Sequence, residues 1–135
     1  MRIPILRLGE ILLAPIQSDI TDEQAMQLQA EILKLLEITT ARGVVLDISA
    51  LDVVDSYMAR ILTDTARMAR LMGGEVVISG MNPTVAIALI EMGRELINVA
   101  TALNLEQAVD ALKARLSSFD DHDGIATGRS VSHGG

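Results

Sequence analysis

Residues 43–60, Gly43 to Arg60, read GVVLDISALDVVDSYMAR, and their periodicity changes once. Gly43-Val44-Val45-Leu46-Asp47-Ile48 is β-branched and almost continuously apolar, the pattern of a central strand covered on both faces. From about Asp55 to Met72 the apolar residues recur at helical spacing instead. Met58, Ile61, Leu62, Thr65, Met68, Ala69 and Met72 fall on one side, and Ser56, Arg60, Thr63 and Arg67 on the other. Gly73-Gly74 ends this helix, glycine being free to take the left-handed cap conformation. A buried strand passing directly into an amphipathic helix is half of a parallel crossover unit.

The flanking sequence repeats that unit. Ile3–Leu8 and Ile11–Ile16, separated by Gly9-Glu10, read as an antiparallel hairpin. Thr21 and Gln24 form a capping box before Ala25, Leu28, Ile32 and Leu35 or Leu36, a helix expected to end near Gly43. Glu75–Ser79 is a second buried strand, Asn82-Pro83 opens a third helix that closes at Met92-Gly93, and a strand is expected over Ile97–Ala100. Asn104 with Gln107 opens a last helix to about Leu116. The order ββαβαβαβα predicts an α/β domain: a mixed, mostly parallel sheet of about five strands with about four helices. Residues 117–135, SSFDDHDGIATGRSVSHGG, shift to Ser, Gly, Asp and His and read as a disordered tail after a single domain over 1–116.

Composition narrows the function. With 18 acidic against 11 basic residues the net charge is -7, a field that repels nucleic acid and anionic membrane surfaces. The absence of cysteine and tryptophan removes thiolate metal sites and most stacking platforms for bases. The apolar runs are far shorter than a membrane span and the N-terminus lacks a basic leader, so a soluble, cytoplasmic protein is expected.

Catalytic chemistry is equally sparse. Both histidines, His122 and His133, lie in the tail, where neither is fixed beside a serine, so a serine–histidine triad is not expected. His122 and His133 with Asp120, Asp121 and Asp123 read as solvated tail rather than as a metal site. Asp47, Asp52 and Asp55 read as turn and cap residues rather than Mg²⁺ ligands. Gly73-Gly74 follows a helix and precedes a strand, the reverse of a phosphate loop. No enzyme activity, cofactor or metal is expected.

Ser56 stands apart. With Asp55 as cap, it is the first residue of its helix, where exposed amides and the macrodipole favour negative charge, and Arg60 lies four residues on, within reach of a phosphate on it. Pattern alone favours an ordinary serine on a solvated helix start. In the third helix Val85, Ala88, Leu89 and Met92 form the face expected against the sheet. Ile87 and Ile90 project from the other side, as a partner interface would require.

The order of elements, together with RIPILRL (2–8), VVDSYMARIL (53–62), RLMGGEVVISGMNPTVAIALIEMG (70–93) and TALNLEQAVDAL (101–112), resembles the STAS domain family over residues 3–116. Within that family it is most similar to the RsbS-like single-domain scaffolds of bacterial stressosomes. The resemblance implies a non-enzymatic scaffold that assembles into a large hetero-oligomer with an RsbR-like co-scaffold and sequesters an RsbT-like serine kinase. Phosphorylation of the serine that starts the second helix, here Ser56, then releases the kinase, and a PP2C-like phosphatase resets the scaffold. Residues 117–135 depart from the family pattern. Two alternatives are a stand-alone anti-sigma factor antagonist and an accessory domain of a transport system.

Overall fold

The computed structural model describes residues 4–93 and 99–129, with side chains as far as Ser117. β1 (Leu6–Leu8) and β2 (Ile11–Pro15) form the hairpin. They are followed by α1 (Asp22–Ile38), β3 (Gly43–Asp47), α2 (Ser56–Leu71), β4 (Glu75–Ser79), α3 (Pro83–Glu91), β5 (Ala100–Ala102) and α4 (Leu105–Arg129). The five strands lie in the order β1-β2-β3-β4-β5, the first pair antiparallel and the rest parallel. The α/β sheet expected from the sequence is the one observed.

β3 is central and buried on both faces. Val44 and Leu46 join Leu12, Val76 and Ile78 beneath α1, α2 and α3, while Val45 joins Ile11 and Val77 beneath Ala108, Val109, Leu112 and Leu116 of α4. Burying each such aliphatic side chain stabilises the fold by roughly 1.5–3 kcal/mol. β3 therefore has no polar face to offer, which its sequence already announced.

Several boundaries differ from the sequence reading. α1 stops at Ile38, short of Gly43, because Thr39 takes an extended conformation and its hydroxyl donates to the Leu35 carbonyl at 2.6 Å. The last strand is Ala100–Ala102 rather than Ile97–Ala100, since the register pairs Val77 with Ala100 and Ser79 with Ala102; Ile97 lies outside the described residues. α4 continues past Leu116 to Arg129, although Leu116 is its last described core residue. Of the tail expected to be disordered over 117–135, the backbone of 117–129 is the end of α4, and 130–135 lie outside the described residues.

Thr63 is the clearest correction within a helix. The helical spacing sets it with Ser56, Arg60 and Arg67 on the solvated side, yet it is 1% exposed. Its hydroxyl donates back to the carbonyls of Ala59 (3.0 Å) and Arg60 (3.2 Å), so the polar group is satisfied locally and the residue can be buried. Met68, placed on the packed side by spacing, is exposed at the edge of the α1–α2 contact.

Gly80 links β4 to the α3 cap at φ +81°, and a Cβ there would stand 2.5 Å from Ser49 Cβ and 2.6 Å from Ser49 Cα. Both the positive φ and the contact with backbone exclude a side chain. Gly80→Ala is expected to cost about 3 kcal/mol, measurable as a lowered urea midpoint with an unchanged slope.

Candidate functional site

The loop from β3 to α2 leaves the C-terminal edge of the parallel sheet, the edge at which ligands and partners of open α/β sheets are met. It is clamped from three directions. Leu51 and Val54 turn into the core while Asp52 and Val53 face outward, Val53 being 78% exposed. The Asn82 side-chain amide donates to the Leu51 carbonyl at 3.0 Å, and the Asn82 carbonyl oxygen caps α3 by accepting from the Val85 N–H at 2.9 Å. The Asp47 carboxylate accepts from the Ser79 hydroxyl at 3.0 Å and from the Ser49 N–H at 3.3 Å, tying the ends of β3 and β4 together.

Asp55 completes the clamp. Its backbone is extended (φ -85°, ψ 176°) and its carboxylate accepts from the Met58 N–H at 2.8 Å, so it is the α2 cap that the sequence predicts. Ser56 follows as the first helical residue, exposed and held on a rigid start rather than on a free loop. A shallow cleft of about 140 Å³ beside it is lined by residues including Asp22, Leu51, Val53, Asp55 and Met58.

Arg60 is not turned to Ser56. Its Nε lies 3.5 Å from Asp64 Oδ2, one turn further along α2, with the two side chains 67% and 28% exposed. Asp64 went unnoticed in the sequence, although its i,i+4 spacing from Arg60 was the available signal. Both residues line a groove of about 340 Å³ between α1 and α2, with Met26, Gln29, Tyr57, Ile61 and Met68. At its base Gln29 Nε2 donates to Thr65 Oγ1 at 2.9 Å, a buried polar link joining the two helices.

On α3, Val85 and Leu89 are buried. Ile87 and Ile90 stand 57% and 69% exposed, and Met92, expected against the sheet, is 37% exposed at the helix end. Among the described residues no three His, Cys, Asp or Glu side chains are grouped to hold a metal ion, and no helix is long and apolar enough to cross a membrane. The side chains of His122 and His133 lie outside the described residues.

The model of the STAS domain matches residues 2–112. The chain belongs to the STAS domain family. Among solved structures, a serine-to-glutamate variant of RsbS from Moorella thermoacetica is similar at 38% identity and a TM-score of 0.79, over 87% of this chain and 99% of that one. A structure described as the molecular architecture of the stressosome, a signal integration and transduction hub, is similar at 40% identity and a TM-score of 0.76, over 84% of this chain and 98% of its own. The RsbT co-antagonist protein RsbRA of Bacillus subtilis is 24% identical over 99 residues, which are 73% of this chain. The STAS chain spans about a third of the length of the curated relatives it matches.

Replacing Asp55 removes the acceptor for one orphan amide of α2. Asp55→Ala is expected to cost about 1 kcal/mol and Asp55→Asn less than half of that, read from urea unfolding of the two variants side by side.

Proposed function

We propose that this STAS domain is a non-enzymatic stressosome scaffold that sequesters an RsbT-like serine kinase and releases it when Ser56 is phosphorylated. The carrying observation is the likeness, along most of both chains, to RsbS and to the stressosome structure. The position of Ser56 supports the same reading, because a kinase substrate needs an accessible hydroxyl on a start that tolerates negative charge. In the transfer, Ser56 Oγ bonds to the terminal phosphorus of the kinase's ATP. The bond to the bridging oxygen breaks, ADP leaves, and the hydroxyl proton passes to a base of the kinase.

The co-scaffold in this reading is an RsbR-like protein meeting the chain STAS to STAS, as its similarity to an RsbT co-antagonist suggests. A PP2C-like phosphatase returns Ser56 to the hydroxyl form, and the assembly is a large hetero-oligomer acting in the cytoplasm. Ile87 and Ile90 supply apolar contact to a neighbouring scaffold subunit, and Asp55 and Arg60 frame the phosphoacceptor.

Incubation with the cognate kinase and MgATP, followed by peptide mass spectrometry, tests the assignment. Phosphate is expected on Ser56, with Ser56→Ala binding kinase without releasing it and Ser56→Asp binding at least tenfold more weakly. Phosphate confined to other residues, such as Ser117, Ser130 or Ser132, overturns it, and a small heterodimer with the kinase alone points to a stand-alone antagonist. Thr63 is expected to stay unmodified because it is buried.

Ile87→Asp and Ile90→Asp should keep the circular dichroism spectrum and weaken co-assembly at least tenfold, because each places a charge in an apolar contact. Sedimentation of intact large complexes containing both substitutions would exclude this face from the assembly.

A further inference from the structure

The solvent stripe of α2 is a ladder of alternating chemistry: Ser56, Arg60, Asp64 and Arg67 succeed one another at three- and four-residue spacing. Arg60 occupies the rung between two acceptors. One is Asp64, which it meets at 3.5 Å; the other is position 56, neutral as serine and about -1.5 to -2 in charge when phosphorylated. We infer that Arg60 is a two-position residue, paired with Asp64 while Ser56 is free and transferred to the phosphate when Ser56 is modified, so that phosphorylation is transmitted to the α1–α2 groove.

This rests on the reading of Ser56 as phosphoacceptor and adds where and how the modification is felt. The direction of the exchange follows from helix geometry. Side chains lean toward the N-terminus of their helix, and an anion four residues before a cation is better placed than the reverse order. Arg60 with Asp64 is the reverse order, a singly charged pair in which the arginine is largely exposed and the aspartate half-buried. Phosphorylated Ser56 with Arg60 is the favoured order, carries more charge, and sits where the helix macrodipole also holds an anion.

The consequence appears about 12 Å from the modified residue, eight residues along α2 at 1.5 Å each. Arg60 and Asp64 both line the groove whose apolar part is Met26, Tyr57, Ile61 and Met68. When Arg60 leaves, the groove keeps the Asp64 carboxylate and loses the guanidinium that balanced it. A kinase lying across Ser56 and this groove therefore meets two changes, the phosphate and an altered rim.

The test places phosphoserine at position 56 during translation, making it independent of any kinase. Phosphorus NMR then follows the second phosphate pKa, ordinarily about 6, in the full chain and in the Arg60→Gln, Asp64→Asn and doubly substituted chains. Arg60→Gln is expected to raise that pKa by about 0.5, and Asp64→Asn to lower it by about 0.3 by freeing Arg60. The Asp64→Asn effect should vanish in the double variant, which a charge acting only at a distance would not produce.

Tyr57 reports on the groove directly, since it is the single tyrosine of a chain without tryptophan. Phosphoserine should change its emission in the parent and much less in Arg60→Gln. The inference is overturned if Arg60→Gln leaves the phosphate pKa unmoved, if Asp64→Asn acts equally with and without Arg60, or if Tyr57 responds identically in both chains. A kinase that modifies another residue while these shifts occur as expected removes the functional reading and leaves the ion-pair exchange standing.

Discussion

β3 has no face to give to water, and that requirement organises the domain. Val44 and Leu46 must be covered on one side and Val45 on the other, so helices have to lie on both faces of the sheet. Right-handed crossovers between strands that are neighbours in sequence put α1, α2 and α3 on one face, and α4, which follows the last strand, covers the other. The chain therefore returns to the same edge after every helix, and every helix starts at the C-terminal edge of the sheet. Thr21, Asp55, Asn82 and Asn104 accordingly stand together at one end of the molecule, each accepting a hydrogen bond from the backbone amide three residues on.

That edge carries the partial positive charges of four helix starts, and the sequence answers them with carboxylates. Asp22, Glu23, Asp55 and Glu106 sit at or in the first turns, and no Lys or Arg occurs in residues 16–24, 47–58, 79–84 or 102–107. Ser56 is placed where these effects compete: the α2 amides favour an added anion, and the neighbouring Asp52 and Asp55 oppose it. An arginine one turn away that can change partner is a local way of tipping such a balance, which gives Arg60 more influence than its weak ion pair suggests.

One buried and one half-buried polar link set how the layers sit. Gln29 and Thr65 join α1 to α2, and Asp47 and Ser79 join β3 to β4 beneath the loop that presents Ser56. Losing Thr65 or Asp47 is costly, because Gln29 or Ser79 would be left buried without this hydrogen bond. Aliphatic packing supplies most of the stability, while these links single out one arrangement of helices among several that would bury similar area.

The sequence by itself determined the strands whose residues are buried on both faces, the helix starts marked by Thr21, Asp55 and Asn82, and the exposure of Ser56, Ile87 and Ile90. All of these follow from local rules: cap chemistry, period, and the β-branched run over 43–48. The short strand Ala100–Ala102 was misplaced because three residues of weak pattern take their register from β4 rather than from their own side chains. Thr63 was misplaced because a hydroxyl that bonds its own helix can be buried like a methyl group. The α1–α2 groove and the Gln29–Thr65 link were decided only in tertiary structure, whereas the Arg60–Asp64 pair was signalled by its i,i+4 spacing. Both the groove and the link depend on which residues of α1 face α2 once the two helices lie on the same sheet.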